Sequence, residues 1–378
     1  MNEDSGRAEP PPSFRPPPTP ALTRRALLGL AATAGVGAAN VGAFAYAGDL
    51  FPEDRLTPAR FVDRFEQVAG RHPGFRRNHA KGVSVSGHFT ANGDGSDVSK
   101  AVVFESGRTT PVTGRFSLSG GAPDIADAGL LVRGLGLLFA LPNSEQWRTA
   151  MINTPVFPDS TPEGFYERIL ASKPLPATGK PDPRKMADFL AAHPETAEAM
   201  AFNRRHPPTS GFGDSTFNGL NAFRFTNAAG ATVPVRWSLT PLQPAGPGTA
   251  GDGGGAGKAP DRNYLFDGLI SNLAERPLRW RLMLTVGRPG DPTHDATRPW
   301  PPDRRTIEAG TLTLDAVRTE AEGNARDINF DPLVLPDGIA ASDDPLLSAR
   351  SAVYAQSYRR RAGEPKQPSP VDVSKVLR

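Results

Sequence analysis

The sequence predicts an α+β domain, an antiparallel β-barrel with α-helices packed outside it. Three observations point there. Many short apolar runs alternate with period two, as half-buried strands do. A block of helical periodicity is inserted between the early and late strands. Glycine and proline are abundant, at 39 and 40 residues, but concentrate in the leader and in loops, which leaves a core able to fold.

Thr57-Pro58 supplies a helix N-cap followed by proline at the first helical position. Phe61, Val62, Phe65 and Val68 then recur at helical spacing, and Gly70 ends the run. Val83, Val85 and Phe89 alternate as a strand, and Ala101–Phe104, Arg115–Leu118 and Leu137–Leu141 are further strand candidates. Helical stretches are expected at Glu163–Ser172, Pro183–Ala192 and Leu265–Ala274. Asn221–Thr226 and Val233–Leu239 flank Asn227-Ala228-Ala229-Gly230, a hairpin turn signal. Leu278, Trp280, Leu282, Leu284 and Val286 alternate cleanly, so that strand has one buried face. Residues 244–261 lack periodicity and are expected to form a flexible insertion; residues 366–378 are expected to form a polar tail.

Composition removes whole classes of function. The charges, 43 Lys+Arg against 40 Asp+Glu, leave +3, and no basic stripe interleaved with aromatics suggests nucleic acid. The absence of cysteine excludes disulfides, thiolate-ligated haem, iron–sulfur clusters and thiol peroxidases. Residues 1–25 form a Pro-rich leader expected to be disordered. An uncharged run from 26 to 48 follows Arg24-Arg25 and ends in Ala45-Tyr46-Ala47, an A-x-A cleavage pattern. This reads as an export signal or membrane anchor, with the folded domain delivered outside, periplasmic or anchored facing outward. It resembles a twin-arginine signal, although Leu27 replaces the usual aromatic residue. Membrane contact is expected only through this segment, and the sequence leaves oligomeric state open.

The most informative segment is Arg350-Ser-Ala-Val-Tyr354-Ala-Gln-Ser-Tyr358-Arg359-Arg360-Arg361. As a helix it sets Arg350 one turn from Tyr354, and Arg361, eleven residues beyond Arg350, returns near the same face. A cation beside a tyrosine favours the phenolate, a hard oxygen ligand suited to ferric iron. Alone, the pattern also fits a solvated basic helix end, and Tyr358 competes with Tyr354.

Other segments add to it. They are Phe75-Arg76-Arg77-Asn78-His79-Ala80-Lys81-Gly82, Thr113-Gly114-Arg115-Phe116-Ser117, and Ile152-Asn153-Thr154-Pro155-Val156-Phe157. On a strand, Arg115 and Ser117 share a face. Further on come Phe223–Gly230, Arg298-Pro299-Trp300-Pro301, Phe330-Asp331-Pro332 and Pro336-Asp337-Gly338-Ile339. In this order, across residues 55–365, the chain resembles the catalase superfamily, and within it the short catalase-related peroxidases.

The resemblance implies a catalase-like fold, haem b with its iron as cofactor, and hydrogen peroxide as substrate. By it, His79 is the distal acid/base, Ser117 holds the other ring nitrogen, and Asn153 orients peroxide. Tyr354 is the iron ligand and Arg350 keeps it ionised, while Arg76, Arg115 and Arg361 hold the haem propionates. Phe165 matches a residue packed on the haem, although an ordinary core position suits it equally. Large catalases carry an aliphatic residue where this chain has Asn78, and their long interlocking arm is replaced here by the leader. A short chain should leave the haem more open, which favours peroxidation of small organic donors over efficient catalase activity. A true catalase, a hydroperoxide-rearranging enzyme and a non-enzymatic haem carrier are the rival readings.

Overall fold

The computed structural model describes residues 56–244 and 262–377. The leader, its cleavage pattern and nearly all of the expected insertion lie outside the described residues.

Helix α1 (Pro58–Ala69) begins as the sequence predicts. Thr57 Oγ1 accepts from Arg60 N–H at 3.3 Å, and Gly70 ends the helix at φ 83°. The strands are β1 (Gly82–Ala91), β2 (Thr109–Leu118), β3 (Arg133–Ala140), β4 (Gln146–Ile152), β5 (Phe217–Asn218), β6 (Phe223–Thr226), β7 (Thr232–Pro241), β8 (Leu278–Val286), β9 (Thr306–Arg318) and β10 (Ile339–Ala341). Antiparallel pairing runs β1-β2-β3-β4-β5-β7-β8-β9 and returns from β9 to β1, closing an eight-stranded barrel. Closure removes the free edges, and β6 and β10 extend from β7 outside the ring.

Aromatic side chains fill the interior. Phe139 stacks on Trp147 at 4.8 Å, and Trp147 meets Trp237 edge-on at 5.2 Å. The β6–β7 hairpin turns where the sequence places it. Asn227 Oδ1 accepts from the N–H groups of Ala229 and Ala231, and Gly230 takes φ 83°.

The inserted helices are α2 (Pro162–Ala171), α3 (Pro183–Ala192) and α4 (Pro194–Arg204); α5 (Tyr264–Glu275) and α6 (Pro345–Ala362) follow, with a short α7 (Val373–Val376). No described helix is long and apolar enough to cross a membrane. A buried ion pair, Lys81 Nζ to Asp127 at 2.6 Å, ties β1 to α5, because Asp127 also accepts from Leu265 N–H.

Two expectations change. Ala101–Phe104 is not a strand: Val102–Phe104 forms a 3-10 turn, with Phe104 N–H donating to Ala101 O, and it buries Val103 and Phe104. Residues 366–377, polar in composition, still bury Val371 and Val373 against the core, and Val373 N–H donates to Thr319 Oγ1 at 2.9 Å.

Candidate active site

One cavity of about 820 Å³ lies between the barrel and the outer helices. All eight site residues read from the sequence line it: Arg76, His79, Arg115, Ser117, Asn153, Arg350, Tyr354 and Arg361. Its size falls within the usual range for small-molecule and cofactor sites, about 300–1,000 Å³.

His79 precedes β1 in the left-handed backbone region, with φ 56°. A non-glycine residue there needs support, and Asn78 supplies it. Asn78 Oδ1 accepts from His79 N–H at 3.0 Å and from Gly120 N–H at 2.8 Å. Asn78, which stands where large catalases carry an aliphatic residue, therefore turns its oxygen to the backbone. The His79 ring meets Ser117 Oγ through Nδ1 at 3.1 Å. Ser117 projects from β2 beside Gly134 of β3, where a Cβ would lie 2.7 Å from Ser117 Oγ and 3.0 Å from His79 Nδ1. Glycine at 134 thus makes room for the imidazole.

Burial, reinforced by the charges of Arg115, Arg76 and Arg350, lowers the His79 pKa to about 3. The ring is neutral across physiological pH.

Asn153 lies just past the end of β4. Its Oδ1 accepts from Arg133 N–H at 2.9 Å and its Nδ2 donates to Leu131 O at 3.0 Å. These bonds fix the carboxamide and leave one Nδ2 hydrogen for a ligand.

Helix α6 carries Arg350, Tyr354 and Arg361. Asp344 caps its N-terminus, accepting from Leu346 N–H, and also accepts from Asn221 Nδ2 at 2.7 Å. Asn221 Oδ1 in turn accepts from Arg350, whose other arm donates to Ala150 O at 2.8 Å. The guanidinium then sits 5.8 Å from the Tyr354 ring centre. Asp344, Asn221, Arg350 and Tyr354 thus form one connected chain. Asn221 escapes the sequence reading because it meets α6 only through the fold; Asp344, directly before Pro345, carries a local cap signal, and only its bond to Asn221 depends on the fold. Burial raises the Asp344 pKa, against the opposing hydrogen bond from Asn221. Tyr354 lines the cavity; Tyr358 instead packs under Arg361, 4.7 Å from its guanidinium.

The remaining arginines gather at one end. Arg76 donates to the carbonyls of Ala325 and Ile328, and Arg361 to those of Arg326 and Ile328. Arg115 donates to His79 O at 2.8 Å and Ala80 O at 3.0 Å, and forms a fork with Glu320 at 2.6 and 3.0 Å. Glu320 thus faces Arg115 and Arg76 directly and also acts on Arg361, which the more exposed Asp327 attracts as well. Burial and the mutual repulsion of the three guanidiniums hold the Arg76 pKa well below the usual value, and burial with Arg115 lowers that of Arg361 to about 10.

This excess of positive charge at one end of an apolar cavity fits a flat, largely apolar group that ends in carboxylates. A phenol and a neutral imidazole in the same cavity fit a ferric ligand and a distal acid/base. Phe165 also lines the cavity and packs against Phe61, Phe65 and Phe157. Haem is the cofactor that the catalase family uses, and the residues present suit it.

Comparison with known proteins agrees. The catalase family model matches residues 58–377. A catalase-related peroxidase of Synechococcus elongatus is 40% identical over 328 residues, covering 87% of this chain and 93% of that protein. A catalase-related peroxidase of Mycolicibacterium paratuberculosis is 33% identical, covering 82% and 96%. Among solved structures, a bacterial catalase superposes with a TM-score of 0.66 at 24% identity, over 80% of this chain and 60% of that one. The chain spans less than two thirds of that larger catalase, whereas it matches the short relatives nearly end to end. The chain belongs to the catalase family of peroxide-acting oxidoreductases, among its short catalase-related peroxidases.

Proposed function

We propose that the protein is a haem b-dependent peroxidase that uses hydrogen peroxide to oxidise small organic donors, with only weak release of oxygen. The observation that carries this reading is the distal pair, a neutral His79 held by Ser117 in the cavity that Tyr354 also lines. Leu131, another lining residue, is 62% exposed, so the cavity opens to solvent where a donor can enter.

Tyr354 would hold the iron, with Arg350 maintaining its charge, and Arg76, Arg115 and Arg361 would hold the propionates. When bound, the haem supplies the iron on which peroxide is reduced and the oxidising equivalents later drawn by the donor. In the tautomer with its proton on Nδ1, His79 donates to Ser117 Oγ and keeps a lone pair on Nε2. Nε2 takes the proton from one peroxide oxygen and returns it to the other, making water the leaving group. The unused Nδ2 hydrogen of Asn153 donates to peroxide and orients it. A carrier of haem needs no such distal set.

His79→Ala separates the readings. Loss of peroxide turnover by about 10²-fold or more, with haem retained, supports the enzyme; unchanged turnover rejects it. The leader fits export of the folded domain, and fractionation of cells producing the full chain tests this: recovery in the cytoplasm alone overturns it.

A further inference from the structure

Glu320 is a buried carboxylate that the proposed reaction does not use. It follows β9 and stands behind the arginine cluster, outside the residues that line the cavity. Its side chain is 4% exposed and that of Arg115 is 3% exposed. The fork to Arg115 measures 2.6 and 3.0 Å, and Arg76 Nη1 lies 3.7 Å from the same carboxylate. Through Arg115 the contact reaches the carbonyls of His79 and Ala80. Arg326, 6% exposed, adds a fourth cation to the group, and its Nη2 is buried without a hydrogen-bond partner. Burial works against ionisation of Glu320, but Arg115, Arg76 and Arg326 outweigh it and hold its pKa below the usual range. Glu320 is therefore the buried anion among these four cations, while the more exposed Asp327, paired with Lys366, adds a weaker pull on Arg361.

We propose that Glu320 is the internal counter-ion of the haem-free chain, a positioning residue that holds the arginine cluster until the cofactor's own carboxylates share that task. This rests on the haem reading above. Buried charge left without its partner is strongly destabilising. In the haem-free protein Glu320 is the buried carboxylate that answers that demand for Arg115 and Arg76. In the loaded protein the propionates add two negative charges to the same guanidiniums. Glu320 and the propionates are then partly redundant, and redundancy between two ligands of one site is negative coupling. A thermodynamic consequence follows by linkage. Removing the Glu320 charge destabilises the haem-free form more than the loaded form, so the folded variant holds haem more tightly. An ordinary structural ion pair weakens both forms equally and leaves haem retention alone.

The test compares wild type with Glu320→Gln, which keeps the side chain's shape while removing its charge. Three quantities are read: melting temperature of the haem-free protein, melting temperature of the loaded protein, and the rate of haem transfer to an excess of a haem-scavenging protein. The haem-free variant should melt lower by on the order of 5 °C, with a clearly smaller drop when loaded. Haem transfer should slow by roughly 5-fold or more. The dimethyl ester of haem, which lacks the propionate charges, should show no such slowing. Equal losses in both forms, or unchanged or faster transfer, overturn the proposal. If haem-free Glu320→Gln does not fold, the transfer rate of its loaded form decides; failure to recover the loaded form as well shows that the propionates do not share the task and overturns the proposal. A wild type that takes up no haem defeats the haem reading itself, a result distinct from equal retention.

Discussion

Gly134→Ala puts one methyl group where the His79 imidazole needs space. The added Cβ would lie 2.7 Å from Ser117 Oγ and 3.0 Å from His79 Cε1 and Nδ1. Non-bonded carbon contacts settle at about 3.5–4.0 Å, so the imidazole and the hydroxyl must move by roughly 0.5–1 Å. The ring has little freedom to comply. Its backbone sits at φ 56°, its N–H is held by Asn78 at 3.0 Å, and its carbonyl by Arg115 at 2.8 Å. The 3.1 Å contact to Ser117 is therefore the bond that gives way. Misplacement of a reacting group by about 1 Å is worth around 10²-fold in rate. The overpacking itself costs about 1–3 kcal/mol, which a large barrel domain survives. The assay is peroxide consumption by haem-loaded protein at saturating donor, with occupancy measured from iron content. The variant should keep its haem and lose about 100-fold in kcat/KM for peroxide. Gly268→Ala, on α5 with no atom within 4 Å of the new Cβ, is the control and should behave as wild type. A Gly134→Ala enzyme within about twofold of wild type would refute the placement of His79 and Ser117.

Other outcomes follow from the same geometry. Asn221→Ala removes the acceptor between Asp344 and Arg350, and should shift the ferric absorption bands of the loaded protein while leaving the barrel folded; an unchanged spectrum would show that the chain of bonds does not reach Tyr354. His79 has a folded pKa of about 3, below its ordinary 6.5, so its contribution to haem-free stability is present above pH 6.5 and is lost as pH falls toward 3. His79→Gln should accordingly flatten the stability–pH slope of the haem-free protein by up to about one proton between pH 4 and 6, read by denaturant melts at several pH values. Asp127→Ala strands Lys81, whose side chain is 1% exposed, and should destabilise the fold by about 3–5 kcal/mol; a loss below about 1 kcal/mol would mean that the lysine escapes to water.

What the sequence discloses is what lies close along the chain. Thr57-Pro58 and Gly70 bound α1 because caps act within one turn. Residues 227–230 announce their hairpin because Asn227 bonds to its own neighbours. Arg350 and Tyr354 are legible as a pair because one helix carries both. β9 is hidden although it has 13 residues: Gly310, at φ 146°, interrupts its alternation where the backbone passes close to Thr90 O. β4 is hidden because Gln146 and Arg148 alternate with Trp147, Thr149 and Met151, and buried Thr149 breaks the apolar count. Ala101–Phe104 has the composition of a strand but finds no partner and closes into a turn. Glu320, Asn221 and Asp344 meet their arginines across 205, 129 and 6 residues respectively, and the short case is bridged through Asn221 rather than direct. Family resemblance supplied the roles of His79, Ser117 and Asn153; the structure supplies the reason for Asn78, whose oxygen supports His79.

What becomes of peroxide separates a peroxidase from a catalase most directly. Purified ferric protein loaded with haem b is titrated with hydrogen peroxide beside a small phenolic donor, following oxygen release and donor oxidation together. Donor oxidation should consume most of the peroxide, with little oxygen. Release of one oxygen for every two peroxides with the donor untouched, or no turnover at all, would contradict the peroxidase reading.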